Sequence, residues 1–109
     1  LSRAEVGGKY EGTIHQKELQ VQQGVGARNI NHDIIGSINF QVKKFHISVM
    51  RDEKLIGKHF NIGGRFDEET KTLLQKIQPK DKVYFVDIYT KHINGEEVKL
   101  NAIEFEIVE

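Results

Sequence analysis

The sequence contains no cysteine and no tryptophan, has a single proline and carries no net charge. Without cysteine the chain can form neither a disulfide nor a thiolate site, an absence that fits the cytoplasm and the periplasm equally. Because 16 basic residues balance 16 acidic ones, the chain lacks the general attraction of basic domains for nucleic acid or anionic lipid. Apolar runs are too short for a membrane span or a signal-peptide core. We therefore expect no nucleic-acid partner and no direct membrane contact from this segment.

The 109 residues suffice for one domain and are too few for two. Hydrophobic residues make up 38% of the chain, which exceeds what disordered segments carry and predicts a folded core. We expect residues 1–109 to form a single domain that is a fragment of a longer protein.

A long strand is predicted over residues 38–49, where apolar and polar side chains alternate. The alternation changes phase at Lys43 and Lys44, so that the two sets of apolar residues cannot share a face unless the strand contains a bulge. The sets are Ile38, Phe40 and Val42, then Phe45, Ile47 and Val49. A similar change of phase at Asn101 and Ala102 predicts a second long bulged strand that ends near residue 107.

Other segments complete a predicted antiparallel arrangement. Residues 51–54 form a charged turn, residues 55–62 a weaker returning strand, and residues 83–89 a central strand. Asn94 and Gly95 favour a type I′ hairpin, which would place Lys91 opposite Val98. Residues 1–6 are interpreted as a short entering strand and residues 27–35 as a loop or a ragged edge strand.

Two short helices are predicted, over residues 16–23 and 67–77. Gly24 stands where the first helix would stop. Asp67 is a favourable N-cap for the second, with Glu68 and Glu69 at the positive end of the helix dipole. The predicted fold class is therefore a β-dominated α+β domain, sandwich-like, with long bulged strands and two short helices. Its expected core comprises Phe40, Phe45, Ile47, Leu73, Leu74, Ile77, Phe85, Ile88, Leu100, Ile103 and Phe105.

No residue pattern indicates an enzyme. Five histidines occur at positions 15, 32, 46, 59 and 92, without the spacing of a ready metal chelate, although His46 and His59 would meet if their strands paired. Paired acids such as Glu96 and Glu97 fit helix starts, hairpin ends or wet strand faces. The serines lack a nucleophile elbow, and the glycine clusters at residues 24–26 and 63–64 fit a helix stop and a turn better than phosphate loops. We assign no catalytic, cofactor-binding or metal-binding residue and expect no cofactor.

By elimination, a binding face for another protein is the favoured function, since such a face needs only a sheet edge or a modest apolar patch. A periplasmic ligand-binding or sensory module of an unrelated membrane-anchored protein is the alternative.

Several segments resemble the C-terminal domain of the GldM/PorM family in order and spacing. They are residues 6–8, 12–14, 17–19, 24–25, 45–49, 64–67, 79–88 and 98–107, with a hairpin at Gly95. The sequence departs from the family pattern at His15, at the turn of residues 92–95 and at Ala102. The resemblance covers nearly the whole chain.

The resemblance implies a periplasmic, β-rich domain at the far end of a dimeric shaft that an N-terminal segment anchors in the inner membrane. It implies a mechanical role that couples an inner-membrane motor to outer-membrane-associated ring components of the gliding and type IX secretion machinery. The implied partners are those ring proteins and, in the full-length protein, a second copy of the chain.

Overall fold

The computed structural model describes residues 2–29, 38–91 and 94–109. These residues form eight strands and two helices. The strands are β1 (Ser2–Glu5), β2 (Glu11–His15), β3 (Gly26–Asn29), β4 (Ile38–Arg51), β5 (Lys54–Ile62), β6 (Lys82–Lys91), β7 (Glu97–Lys99) and β8 (Ile103–Val108). The helices are α1 (Gln16–Gln20) and α2 (Glu68–Gln75).

The strands join in the order β1-β3-β4-β6-β8-β2, with β5 added beside β4 and β7 beside β6. This arrangement confirms the predicted β-dominated α+β fold with two short helices. One pairing differs from the antiparallel expectation, because β2 runs parallel to β8. The side chain of Asn101 binds both backbone polar groups of Ala4, so β1 is held against the junction between β7 and β8.

The predicted bulge in β4 is confirmed. The pairing of β4 with β6 shifts around Lys44, and the buried side chains change phase from Val42 to Phe45. A second shift between Lys44 and His46 lies opposite Asp87 of β6, which has a φ of 51°. A non-glycine residue in this left-handed region is strained, and nothing in the sequence pattern pointed to it.

Three strand predictions are wrong in detail. Residues 26–29 form β3 between β1 and β4, not a loop or an edge, and residues 30–37 lie outside the described residues. The C-terminal segment is interrupted after Leu100, whose amide still donates to the Ile88 carbonyl oxygen of β6, and therefore forms two strands, β7 and β8, that both pair with β6. In the hairpin Lys91 pairs with Glu97 instead of Val98. Gly95 has a positive φ, but this register does not fit a two-residue turn at Asn94 and Gly95, which would place Lys91 opposite Val98.

The first helix is shorter than predicted and ends at Gln20, with Val21 as its C-cap. Gly24 serves another purpose: a Cβ added there would lie 2.3 Å from the carbonyl oxygen of Gly64. Glycine is therefore required for the close approach of two backbones, not for stopping a helix. The second helix begins at its predicted cap, since the Asp67 carboxylate accepts a hydrogen bond from the Thr70 amide.

Most of the predicted core is confirmed, with Phe85 at its centre. The Phe85 ring lies within 5.7–6.5 Å of the rings of Phe45, Phe66 and Phe105. Leu73 is only partly buried, and the side chain of Phe40 lies outside the described residues. The helices cover the face of the sheet that carries these residues, and the opposite face carries alternating polar side chains such as Glu104 and Glu106.

Candidate interaction surface

Strand β5 carries the largest group of exposed apolar side chains among the described residues. Ile62 is 70% exposed, Leu55 50%, Phe60 44% and Ile56 40%. Of the large apolar residues exposed in the described chain, Val21 alone lies elsewhere. We call Leu55, Ile56, Lys58, Phe60 and Ile62 the β5 surface. Apolar groups gathered on one exposed strand are typical of a binding site rather than of ordinary surface scatter.

A shallow depression adjoins the β5 surface where β5 meets β4. Its volume is about 510 Å³, and the residues that line it are His46, Ile47, Ser48, Lys58, His59, Phe60 and Val86. The imidazole of His46 meets the ring of Phe60 edge to face, with centroids 4.7 Å apart. The depression therefore combines an aromatic wall with polar groups at its rim.

Strand β5 carries two lysines. Lys54 and Lys58 are exposed, and neither forms an ion pair among the described residues. Two other lysines of the sheet are paired by contrast: Lys44 of β4 lies 3.3 Å from Glu97, and Lys99 of β7 lies 3.0 Å from Asp87. The charge of β5 is thus available to a binding partner.

The inward side of β5 is fixed by Asn61, which is fully buried. Its amide nitrogen donates hydrogen bonds to the carbonyl oxygens of Ile62, Gly63 and Arg65. Its side-chain oxygen accepts hydrogen bonds from the Asp67 amide and the Thr70 hydroxyl. One side chain thus joins the end of β5, the glycine turn and the start of α2.

His59 makes a second connection between β5 and α2. Its Nε2 lies 2.8 Å from a carboxylate oxygen of Asp67, and its Nδ1 lies 3.1 Å from one of Glu69. Burial raises the pKa of Asp67, but the hydrogen bonds from His59 and Thr70 outweigh it and hold that pKa below its ordinary value. The predicted meeting of His46 and His59 does not occur, because His59 pairs with Ile47 and faces α2 whereas His46 lies on the opposite face.

A larger cleft lies where the glycine-rich segments meet. Its volume is about 890 Å³, and it is lined by residues 5, 7–8, 21–28, 42–43 and 62–65. The predicted turn at Gly63 and Gly64 is present, but Gly24 does not stop α1 and packs against this turn instead: the Val25 amide donates to the carbonyl oxygen of Gly64. The exposed side chain of Ile62 belongs to both this cleft and the β5 surface.

Two buried carboxylates away from β5 stabilise the fold. Glu5 binds Arg3 and Arg28 at 2.8 and 2.9 Å. Asp81 binds Arg51 through two hydrogen bonds and also accepts one from the Gln78 amide. Burial alone would raise the pKa of each carboxyl, but these hydrogen bonds and the adjacent positive charges hold both pKa values below their ordinary range.

We expect the free energy of unfolding to fall in acid because of these carboxylates. Above the ordinary carboxyl pKa of about 4, the carboxylates are ionised in the folded and unfolded chain and their full contribution is present. As the pH falls further, the unfolded chain binds protons first, and the contribution is lost as the pH passes through the lowered folded pKa values. Chemical denaturation at a series of pH values measures the free energy of unfolding. In Asp81→Asn this free energy should fall less steeply at acid pH. Glu104→Gln, which changes an exposed acid, should leave the fall at acid pH unchanged. An equal effect of both variants would contradict the stabilising role given to the Asp81 carboxylate.

The residues considered for chemistry from the sequence do not assemble into one site. No three histidine, aspartate or glutamate side chains among residues 2–29, 38–91 and 94–109 cluster closely enough to hold a metal ion. Glu68 and Glu69 lie in the first turn of α2. His32 and His92 lie outside the described residues.

Sequence reasoning missed the β5 surface. The alternation of residues 55–62 predicts a strand but does not show which of its apolar side chains are buried. The signal was present, because Leu55, Phe60 and Ile62 stand in a strand that was predicted to be weak and that also carries two lysines.

The chain matches the family model of the GldM C-terminal domain over residues 2–108. It belongs to that family. The match spans nearly all of the described structure, including both helices and the β5 surface. No curated protein matches the chain.

Membership of the GldM C-terminal domain family gives the chain a role associated with gliding and type IX secretion. The family is a structural one and is not a known enzyme family. The GldM C-terminal domain is a periplasmic part of an inner-membrane protein. Neither helix of the described chain has the length and hydrophobicity needed to cross a bilayer.

Proposed function

We propose that residues 1–109 form one domain of a longer, inner-membrane-anchored protein and act in the periplasm as a passive coupler. The domain would connect the inner-membrane motor protein to outer-membrane-associated ring components of the type IX secretion and gliding machinery. The full-length protein would carry two copies side by side as a homodimer. Membership of the GldM C-terminal domain family carries this proposal.

The structure supports a coupling role in two ways. A coupler needs an accessible surface for its partner, and β5 offers apolar side chains that are 40–70% exposed. It must also hold that surface in place, and the hydrogen bonds of Asn61 together with the contacts of His59 fasten the inward side of β5 to α2. The exposed strand is therefore anchored to a fixed support rather than to a free loop.

Removal of this domain from the full-length protein tests the function. In the bacterium that carries it, a strain without residues 1–109 should lose gliding and secretion through the type IX machinery, while the truncated protein still reaches the inner membrane. Membrane fractionation provides that control. Normal gliding and secretion in the truncated strain would contradict the proposed role.

A further inference from the structure

One edge of β5 has no partner strand within the described part of the chain, and the strand also has an apolar face. Among the described strands β5 pairs only with β4, so its backbone groups on the other side are not used by the described sheet. Folded proteins usually protect such an edge with charge, a bulge or a covering segment. The pairing of β5 with β4 shifts at Ile56, but residues 57–62 pair without interruption, and the exposed apolar side chains among them favour pairing with another strand. We propose that β5 receives an acidic, apolar β-strand from a protein partner, which pairs along this edge. The inference rests on the proposed coupling function and names the chemistry of the partner.

The charge of the β5 surface argues that the incoming strand is acidic. Lys54 stands at the start of β5 and Lys58 at its middle, and both are exposed and without an ion pair among the described residues. Cross-strand pairs of opposite charge stabilise a sheet, whereas like charges directly opposite one another destabilise it. A carboxylate opposite Lys58 therefore favours pairing, and a lysine there opposes it.

The apolar side chains define the rest of the incoming strand. Lys58, Phe60 and Ile62 lie at alternate positions and therefore on the same face of the sheet, opposite Ser48, His46 and Lys44 of β4. The depression of about 510 Å³ beside Phe60 has room for a large side chain. The matching strand thus has an acidic residue flanked at alternate positions by apolar ones.

A second copy of this chain fits the edge less well. The antiparallel register that pairs all of Lys54–Ile62 with itself places Lys58 opposite the Lys58 of the other copy. This contact brings two positive charges together at the centre of the interface. The free edge is therefore better suited to a different, acidic strand than to its own copy.

A synthetic peptide of about seven residues that alternates valine with glutamate is the probe, because an added strand of this length spans most of β5. We expect it to shift the backbone amide resonances of β5 in the isotopically labelled chain and to slow their hydrogen exchange. A peptide with lysine in place of every glutamate should bind about tenfold more weakly, and a proline-substituted peptide should not pair.

Charge reversal at Lys58 provides the decisive comparison. Lys58→Glu should weaken binding of the glutamate peptide about tenfold and strengthen binding of the lysine peptide. Lys17→Glu makes the same change at an exposed lysine of α1 and should alter neither affinity. Phe60→Ser should weaken the binding of both peptides. Val21→Ser changes an exposed apolar residue outside β5 and is the control for this substitution.

Three results would overturn the inference: equal binding of the two peptides, no binding of either, or resonance shifts confined to the glycine-lined cleft. Concentration-dependent dimerisation in sedimentation, abolished by Phe60→Ser without any peptide, would also overturn it by identifying a second copy as the occupant. Circular dichroism verifies that each variant is folded.

The same variants in the full-length protein separate this inference from the proposed function. Lys58→Glu and Phe60→Ser should impair gliding while Lys17→Glu does not. If removal of the whole domain abolishes gliding but strains with the β5 variants glide normally, the inference that a partner strand pairs with β5 is wrong and the coupling role stands. If removal of the domain has no effect, the coupling role itself fails, whatever the peptides show.

Discussion

Replacing Phe105 with alanine is expected to lower the free energy of unfolding by about 3–5 kcal/mol. Phe105 is fully buried, and its ring lies 6.5 Å from that of Phe85, the residue at the centre of the core. Truncation removes apolar area and leaves a cavity that the surrounding strands cannot close fully. Equilibrium denaturation in urea measures the change.

Phe60→Ala is the matched control for this substitution, because Phe60 is 44% exposed and its loss leaves no enclosed cavity. We expect a cost well below that of Phe105→Ala. A loss below about 1 kcal/mol for Phe105→Ala would contradict the phase assigned to β8.

Asn61→Ala should lower the free energy of unfolding by about 2–4 kcal/mol, although the residue contributes little apolar contact. The substitution removes five hydrogen bonds at once and leaves the Asp67 amide and the Thr70 hydroxyl without their partner. Unsatisfied polar groups in a buried setting cost more than the hydrogen bond itself contributes. Thermal and urea denaturation measure the loss.

Thr70→Val separates the contribution of the network from that of a single bond. It removes only the hydroxyl that donates to Asn61 and should cost about 1 kcal/mol. If both substitutions cost the same, Asn61 does not act as the common partner of these groups. Amide exchange at residues 63–67 should accelerate in Asn61→Ala and change little in Thr70→Val.

Periodicity and capping were sufficient to predict the main elements. The change of phase around Lys43 could be read from the sequence because apolar side chains must stay on the buried face, so the bulge followed from the pattern itself. Asp67 was predictable for a similar reason, since a short acidic side chain before a helix satisfies its free amides. Both inferences depend on interactions close in sequence.

Features that depend on distant backbone contacts were not predictable. The last hairpin pairs Lys91 with Glu97, one residue away from the register that a two-residue turn at Asn94 and Gly95 would give. Gly24 resembled a helix stop, but a side chain there is excluded by the close approach of Gly64, which is remote in sequence. The parallel alignment of β2 with β8 depends on how the whole chain closes, and no local pattern encodes it.

The candidate surface was missed for a related reason. Hydrophobic alternation identifies a strand but does not show whether other strands pair with it on both sides. Ile62 and Phe60 have the sequence signature of core residues, and only the sheet order shows that β5 has one neighbour among the described strands. Recognition of such an edge requires the topology.

The parallel pairing of β2 and β8 bears on how the domain responds to mechanical force. The chain enters β2 at Glu11 and leaves β8 at Val108, at opposite ends of the pair. Tension that pulls these two points apart acts along the strands, so the five register pairs from Glu11–Glu104 to His15–Val108 resist it together. An antiparallel pair pulled at one end would open one bond at a time. Because forced unfolding is governed by the unfolding rate, we expect a load across Glu11 and Val108 to be resisted for longer than a load that opens an antiparallel pair from one end.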